Sequence, residues 1–214
     1  MKSIHELVRG SYKFQQKAFK QHEDKFKVLA TEGQSPKILF IGCCDSRVLP
    51  NLITNTGPGD LFIVRNIGNF VAPYNPDEDF HSTAAAIEYA VSVLEVDDII
   101  VCGHSQCGAI AALYKESTSN DKELIHVKKW LELGAPAKEF VEERASDASE
   151  KDKHTMAEEI SVLFQLENLM TYPSVKQRVE KGELFLNGWH YDIESGEIFN
   201  YDDKREEFIP FIQE

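Results

Sequence analysis

The chain has 214 residues, 42% of them hydrophobic and 28% charged, an ordinary globular composition long enough to bury a sizeable core. Its formal net charge of −13 argues against a general nucleic-acid role, because phosphate binding needs clustered Lys and Arg. No apolar run reaches the roughly 18 residues of a membrane span. The opening Met1-Lys2-Ser3-Ile4-His5-Glu6 lacks the apolar stretch of a secretory signal, so a cytoplasmic protein is expected.

Residues 3 to 31 space Ile4, Leu7, Val8, Phe14, Phe19, Phe26 and Leu29 among charges, which predicts one or two amphipathic helices forming an arm against a neighbour. After the break at Gly33-Gln34-Ser35-Pro36, residues 37 to 42 read as a buried parallel strand. Asp60 to Arg65 reads as a second strand, 82 to 95 as an Ala-rich helix and Asp97 to Val101 as a third strand. His104 to Cys107 then falls in a strand-to-helix turn ahead of a helix beginning at Ala109. Helices are expected over 122 to 133, 137 to 147 and 154 to 170. An antiparallel pair is expected over 183 to 192 and 197 to 201, around Ser195-Gly196. The expected fold is α/β, a mostly parallel sheet flanked by helices. A single domain over 1 to 214 is read as a helical arm (1 to 32), an α/β core (33 to 120) and a helical region with C-terminal strands (121 to 214).

Cys43-Cys44-Asp45-Ser46-Arg47 and His104-Ser105-Gln106-Cys107 each follow a short apolar run. Either motif alone suits an ordinary buried cysteine. Together they deliver two thiolates and an imidazole to strand ends, as a zinc site with one open position requires, and they suggest a metal-dependent hydrolase or hydratase. Two thiolates cancel the charge of the metal, so activity that rises with pH is expected. Asp45 is close enough to Cys43 either to ligate the metal or to accept a hydrogen bond from what the metal binds. An Arg47–Asp45 pair would hold the carboxylate ionised and off the metal. Cys44 and Cys102 are expected to be core thiols. The clustering of all four cysteines argues against structural disulfides, and the absence of a CxxC motif argues against a thiol redox protein.

At these motifs the chain resembles a β-class carbonic anhydrase over nearly its whole length. The resemblance extends through Gly33 to Lys37, Val64 to Asn69, Ala85 to Val91, Thr171-Tyr172-Pro173 and Gly188 to Asp192. It implies that Cys43, His104 and Cys107 bind one Zn2+ and that Asp45 and Arg47 form the dyad that orients the nucleophile. It further implies that Gln34 and the Gly108 backbone N–H contact substrate, and that Phe62, Ile67 and Tyr89 line a pocket completed across a homodimer or homotetramer. The implied reaction is hydration of carbon dioxide to bicarbonate and a proton by zinc-bound hydroxide. One branch of the family lets the Asp close the site and binds bicarbonate at a Trp, Arg and Tyr site. Here Arg65 is present and Tyr191 is a match, but Phe40 stands at the Trp position, so an open site is expected. Hydrolysis of CS2 or COS on the same scaffold, or a non-catalytic zinc-stabilised interaction protein, are the alternatives.

Overall fold

The computed structural model describes residues 2–77, 79–115 and 123–211. Helices α1 (Ile4–Lys13), α2 (Phe19–Gln21) and α3 (Glu23–Glu32) lead into β1 (Ile38–Cys43), the short α4 (Pro50–Ile53) and β2 (Leu61–Asn66). After α5 (Ser82–Ser92), β3 (Asp98–His104) and α6 (Gly108–Leu113) come α7 (Ile125–Leu131), α8 (Ala135–Arg144), α9 (Glu150–Leu169) and α10 (Pro173–Glu180). Strands β4 (Phe185–Tyr191), β5 (Ile198–Asp202) and β6 (Glu207–Pro210) complete the chain.

The strands form one six-stranded sheet in the order β2-β1-β3-β4-β5-β6. The first four are mutually parallel and the last two antiparallel. β1 and β3 are buried along almost their whole length, as continuous apolar runs covered on both faces must be. Their carboxyl ends, where a parallel sheet leaves its functional crevice, carry both sequence motifs.

Helix α9 covers β3 and β4, burying Ala157, Glu158, Ser161, Val162, Gln165 and Leu169, a stripe at helical spacing. It can lie close because the strands present glycine there. A Cβ on Gly103 would sit 2.8 Å from Val162 Cγ2, and one on Gly188 would sit 3.1 Å from Val162 Cγ1. Farther along the helix, Gln165 Oε1 accepts the Val71 N–H at 2.8 Å and Asn168 Nδ2 donates to the Val71 carbonyl at 2.9 Å. The segment after β2 is thereby tied to the sheet's cover.

Several expectations need adjustment. His104 is the last residue of β3 rather than part of the turn. α9 begins at Glu150, where the Ser149 hydroxyl caps the Asp152 N–H. The helix expected over 122 to 133 falls on Ile125–Leu131, with residue 122 outside the described residues. Three elements are additional, the first being the short α4 at Pro50–Ile53. α10 starts at Pro173, which opens a helix because its first turn needs no donor there, and β6 pairs with β5 at the edge. Cys102 is buried as expected, whereas Cys44 is exposed, because the chain leaves β1 at Cys43 and the next side chain turns outward. No helix among the described residues is long and apolar enough to cross a membrane.

The glycine contact makes a sharp test of the α9 packing. Gly103→Ala is expected to cost about 1–3 kcal/mol through overpacking, and Val162→Ala in the same chain is expected to recover part of that loss. Urea unfolding of the two single variants and the double variant measures the coupling.

Candidate metal centre

Strands β1 and β3 are neighbours, with Gly42 opposite Cys102, so both finish at the same level. Cys43 closes β1 and His104 closes β3. The turn then doubles back through Gln106, held at φ 57° in the left-handed region, and returns Cys107 as the N-cap of α6. One ligand atom each from Cys43, His104 and Cys107 lies within 4.8 Å of the other two, and all three residues are buried.

The donor set fits a soft cation. His104 Nδ1 lies 2.9 Å from the Ser105 carbonyl, and donating there leaves Nε2 as a lone pair. That Nε2 is buried without a hydrogen-bond partner. Interaction with the Cys107 thiol, together with the N–H groups of Asp45 and Gly68 that approach the same sulfur at 3.4 Å each, brings the Cys43 thiol down to about 4. The same contact, with burial, pushes the Cys107 thiol far up. Two clustered sulfurs beside an unpartnered imidazole nitrogen are the donors that Zn2+ takes in a tetrahedral site with one further position.

Asp45 stands beside this cluster, with both carboxylate oxygens claimed. Oδ1 accepts from the Arg47 backbone N–H at 2.9 Å and from Nε at 3.0 Å, and Oδ2 accepts from Nη2 at 2.8 Å. These Arg47 hydrogen bonds hold the carboxyl far below the usual carboxylate range. Arg47 is steadied in turn by the Gln106 carbonyl at 3.1 Å. The two motifs are therefore joined through side chains as well as through the ligand cluster.

Arg65 supports the loop from below, donating Nε to the Cys43 carbonyl at 2.9 Å and Nη2 to the Asp45 carbonyl at 2.7 Å. Phe40 is buried edge-on against Trp189, with centroids 6.2 Å apart. Ser105 fixes the other motif: its hydroxyl accepts the Ile193 N–H at 2.9 Å and lies 3.3 Å from Asp192 Oδ1.

The remaining expected site residues divide into two groups. Gly108 directly follows Cys107, and Ile67 adjoins Gly68 with its carbonyl held by Trp130 Nε1 at 2.7 Å. Gln34, by contrast, precedes β1, whose six residues span roughly 17 Å at 3.3 Å per residue. α3, which leads into Gln34, is anchored at that far end by the Lys25–Asp60 ion pair and by Leu29 against Gly59. Phe62 sits opposite Leu39 near the start of β2 and packs on Tyr89 at 5.8 Å between centroids. Within one chain, Gln34, Phe62 and Tyr89 do not meet the Cys-His-Cys cluster.

Sequence reasoning missed Glu158, whose Oε1 accepts the Cys107 N–H at 2.8 Å. The available signal was an acidic residue inside the apolar stripe of α9.

The chain is similar to known proteins over almost all of its length. A family model described as carbonic anhydrase matches residues 38–198. A carbonic anhydrase of Synechocystis is 42% identical over 203 residues, 95% of this chain and 73% of the relative. One of Pseudomonas aeruginosa is 42% identical over 212 residues, 98% of this chain and 93% of the relative. Among solved structures, the β-carbonic anhydrase CcaA superposes with a TM-score of 0.90 at 41% identity, covering 98% of this chain and 92% of that one. A structure reported with two tetrameric β-carbonic anhydrases from Sordaria macrospora gives 0.80 at 30% identity, covering 92% of this chain and 95% of that one. With a family model matching residues 38–198, relatives 42% identical over almost the whole chain and a β-carbonic anhydrase structure superposing at a TM-score of 0.90, the chain belongs to the carbonic anhydrase family, in its β class.

Proposed function

We propose that this protein is a zinc enzyme catalysing the reversible hydration of carbon dioxide to bicarbonate and a proton, with Cys43, His104 and Cys107 as the metal ligands. The observation that carries this reading is the convergence of three buried soft donors beside an ionised carboxylate. Zinc bound there supplies a Lewis acid that ionises water near neutral pH.

Asp45 gives the site direction. An ionised carboxylate only accepts hydrogen bonds, so a nucleophile beside it turns its hydrogen toward Asp45 and its lone pair toward the carbon of CO2. Arg47 occupies both Asp45 oxygens, which supports an open site in which solvent rather than Asp45 completes the metal's coordination. The Gly108 N–H and the Gln34 amide are donors for the charge that develops on the product oxygens. Ile67, Phe62 and Tyr89 give CO2 an apolar, poorly hydrated seat.

The separation of Gln34, Phe62 and Tyr89 from the ligand cluster supports a homodimer in which each site takes its metal half from one copy and these residues from the other. The tetramers reported for the Sordaria macrospora relatives are consistent with such pairing. The free cysteines suit the reducing cytoplasm.

Stopped-flow CO2 hydration tests the reaction. The native protein is expected to be active and chelator-sensitive, with Asp45→Asn lowering kcat/KM by about 100-fold while zinc content is retained. Full zinc occupancy with no hydration, or with CS2 or COS hydrolysis instead, would contradict it. The divided site predicts complementation. Cys107→Ser and Gln34→Ala proteins, each poorly active alone, are expected to recover about a quarter of native activity after co-refolding. Random pairing makes about half the dimers mixed, and each of those carries one intact site.

A further inference from the structure

Glu158 is a carboxylate buried to 4% exposure in the middle of α9, a placement that costs stability unless its oxygens are satisfied. Oε1 accepts the Cys107 backbone N–H at 2.8 Å. Oε2 faces His190 Nε2 at 3.5 Å, a contact without a hydrogen bond, and His190 is equally buried. His190 sits opposite Gly103 on β4, so the carboxylate lies between a side chain of β4 and the turn that carries Cys107.

The Cys107 N–H needs this acceptor. Cys107 caps α6 without being inside it, and the residue before it holds a left-handed conformation that L side chains seldom adopt. A buried N–H left unpaired there would free the turn to relax. The charge of Glu158 is a poor reason for its presence, since a negative group beside Cys107 opposes formation of a second thiolate. Its reach is the better one. From α9, a Glu-length side chain brings an oxygen to the Cys107 nitrogen.

We propose that Glu158 is a positioning residue of the metal centre. It holds Cys107 at ligand distance through the backbone, and the length of its side chain, rather than its charge, does the work. The proposal rests on the reading of Cys43, His104 and Cys107 as zinc ligands. It predicts an unusual order between two conservative variants. Glu158→Asp keeps the charge but withdraws the oxygen by one methylene, whereas Glu158→Gln loses the charge but keeps the acceptor in place.

Zinc transfer to a colorimetric chelator, measured on the purified holoproteins, tests the order. Glu158→Asp is expected to release zinc about tenfold faster than the native protein or more, and Glu158→Gln within about twofold of it. The cobalt-substituted Glu158→Asp protein is expected to show shifted d–d bands at full occupancy, which a loss of global stability alone would not produce. Amide exchange at Cys107, a reading that needs no metal, is expected to quicken in Glu158→Asp and not in Glu158→Gln. Equal zinc release from all three proteins, or faster release from Glu158→Gln, would overturn the proposal. A native chain that holds no zinc would contradict the metal reading, while unchanged exchange at Cys107 in Glu158→Asp would separately overturn the role of Glu158.

Discussion

The site depends on the adjacency of two parallel strands that end at the same level. Because β1 and β3 are hydrogen-bonded neighbours, Cys43 and His104 arrive side by side, and one tight turn suffices to bring Cys107 back to them. Much of the surrounding structure holds this juxtaposition. Arg65 grips the carbonyls of the β1 loop, Ser105 ties the β3 turn to the 192–193 turn, and α9 presses on the strands where glycine lets it approach. The ligands themselves need no flexible segment to assemble.

That rigidity carries an electrostatic cost. Two sulfurs, an imidazole lone pair and a carboxylate are gathered where solvent is scarce, and the Cys43 sulfur and the carboxylate have their answers nearby, while the imidazole lone pair has none. The sulfur of Cys43 takes two backbone N–H groups, and Asp45 takes three donors from Arg47. Arg47 also reaches the Gln106 carbonyl, so the group that keeps Asp45 ionised is braced by the other motif's turn. The geometry thus separates the binding of a metal from the orientation of what reacts beside it.

How much of this was legible in the sequence follows from local pattern. β1 and β3 announce themselves as unbroken apolar runs ending in unusual residues, and the Cys, His, Asp and Arg at those ends mark the site. Elements whose identity depends on tertiary context did not show. β6 is a four-residue edge strand ending in Pro210, α10 begins with a proline that reads as a break, and the first turn of α9 is wholly polar. Glu158 sits in a run of charges that looks solvated until the helix is docked. The separation of Gln34 from the ligand cluster within one chain was hidden for a different reason. Gln34 is only nine positions from Cys43, and that short separation contains an entire strand.

X-ray absorption at the zinc edge of the purified native protein tests the central claim most directly. The account predicts two sulfur neighbours at about 2.3 Å and two lighter atoms at about 2.0–2.1 Å, one from His104 and one beyond the protein's three ligands. A shell of light atoms alone, a four-sulfur shell, or a protein that retains no zinc would contradict it.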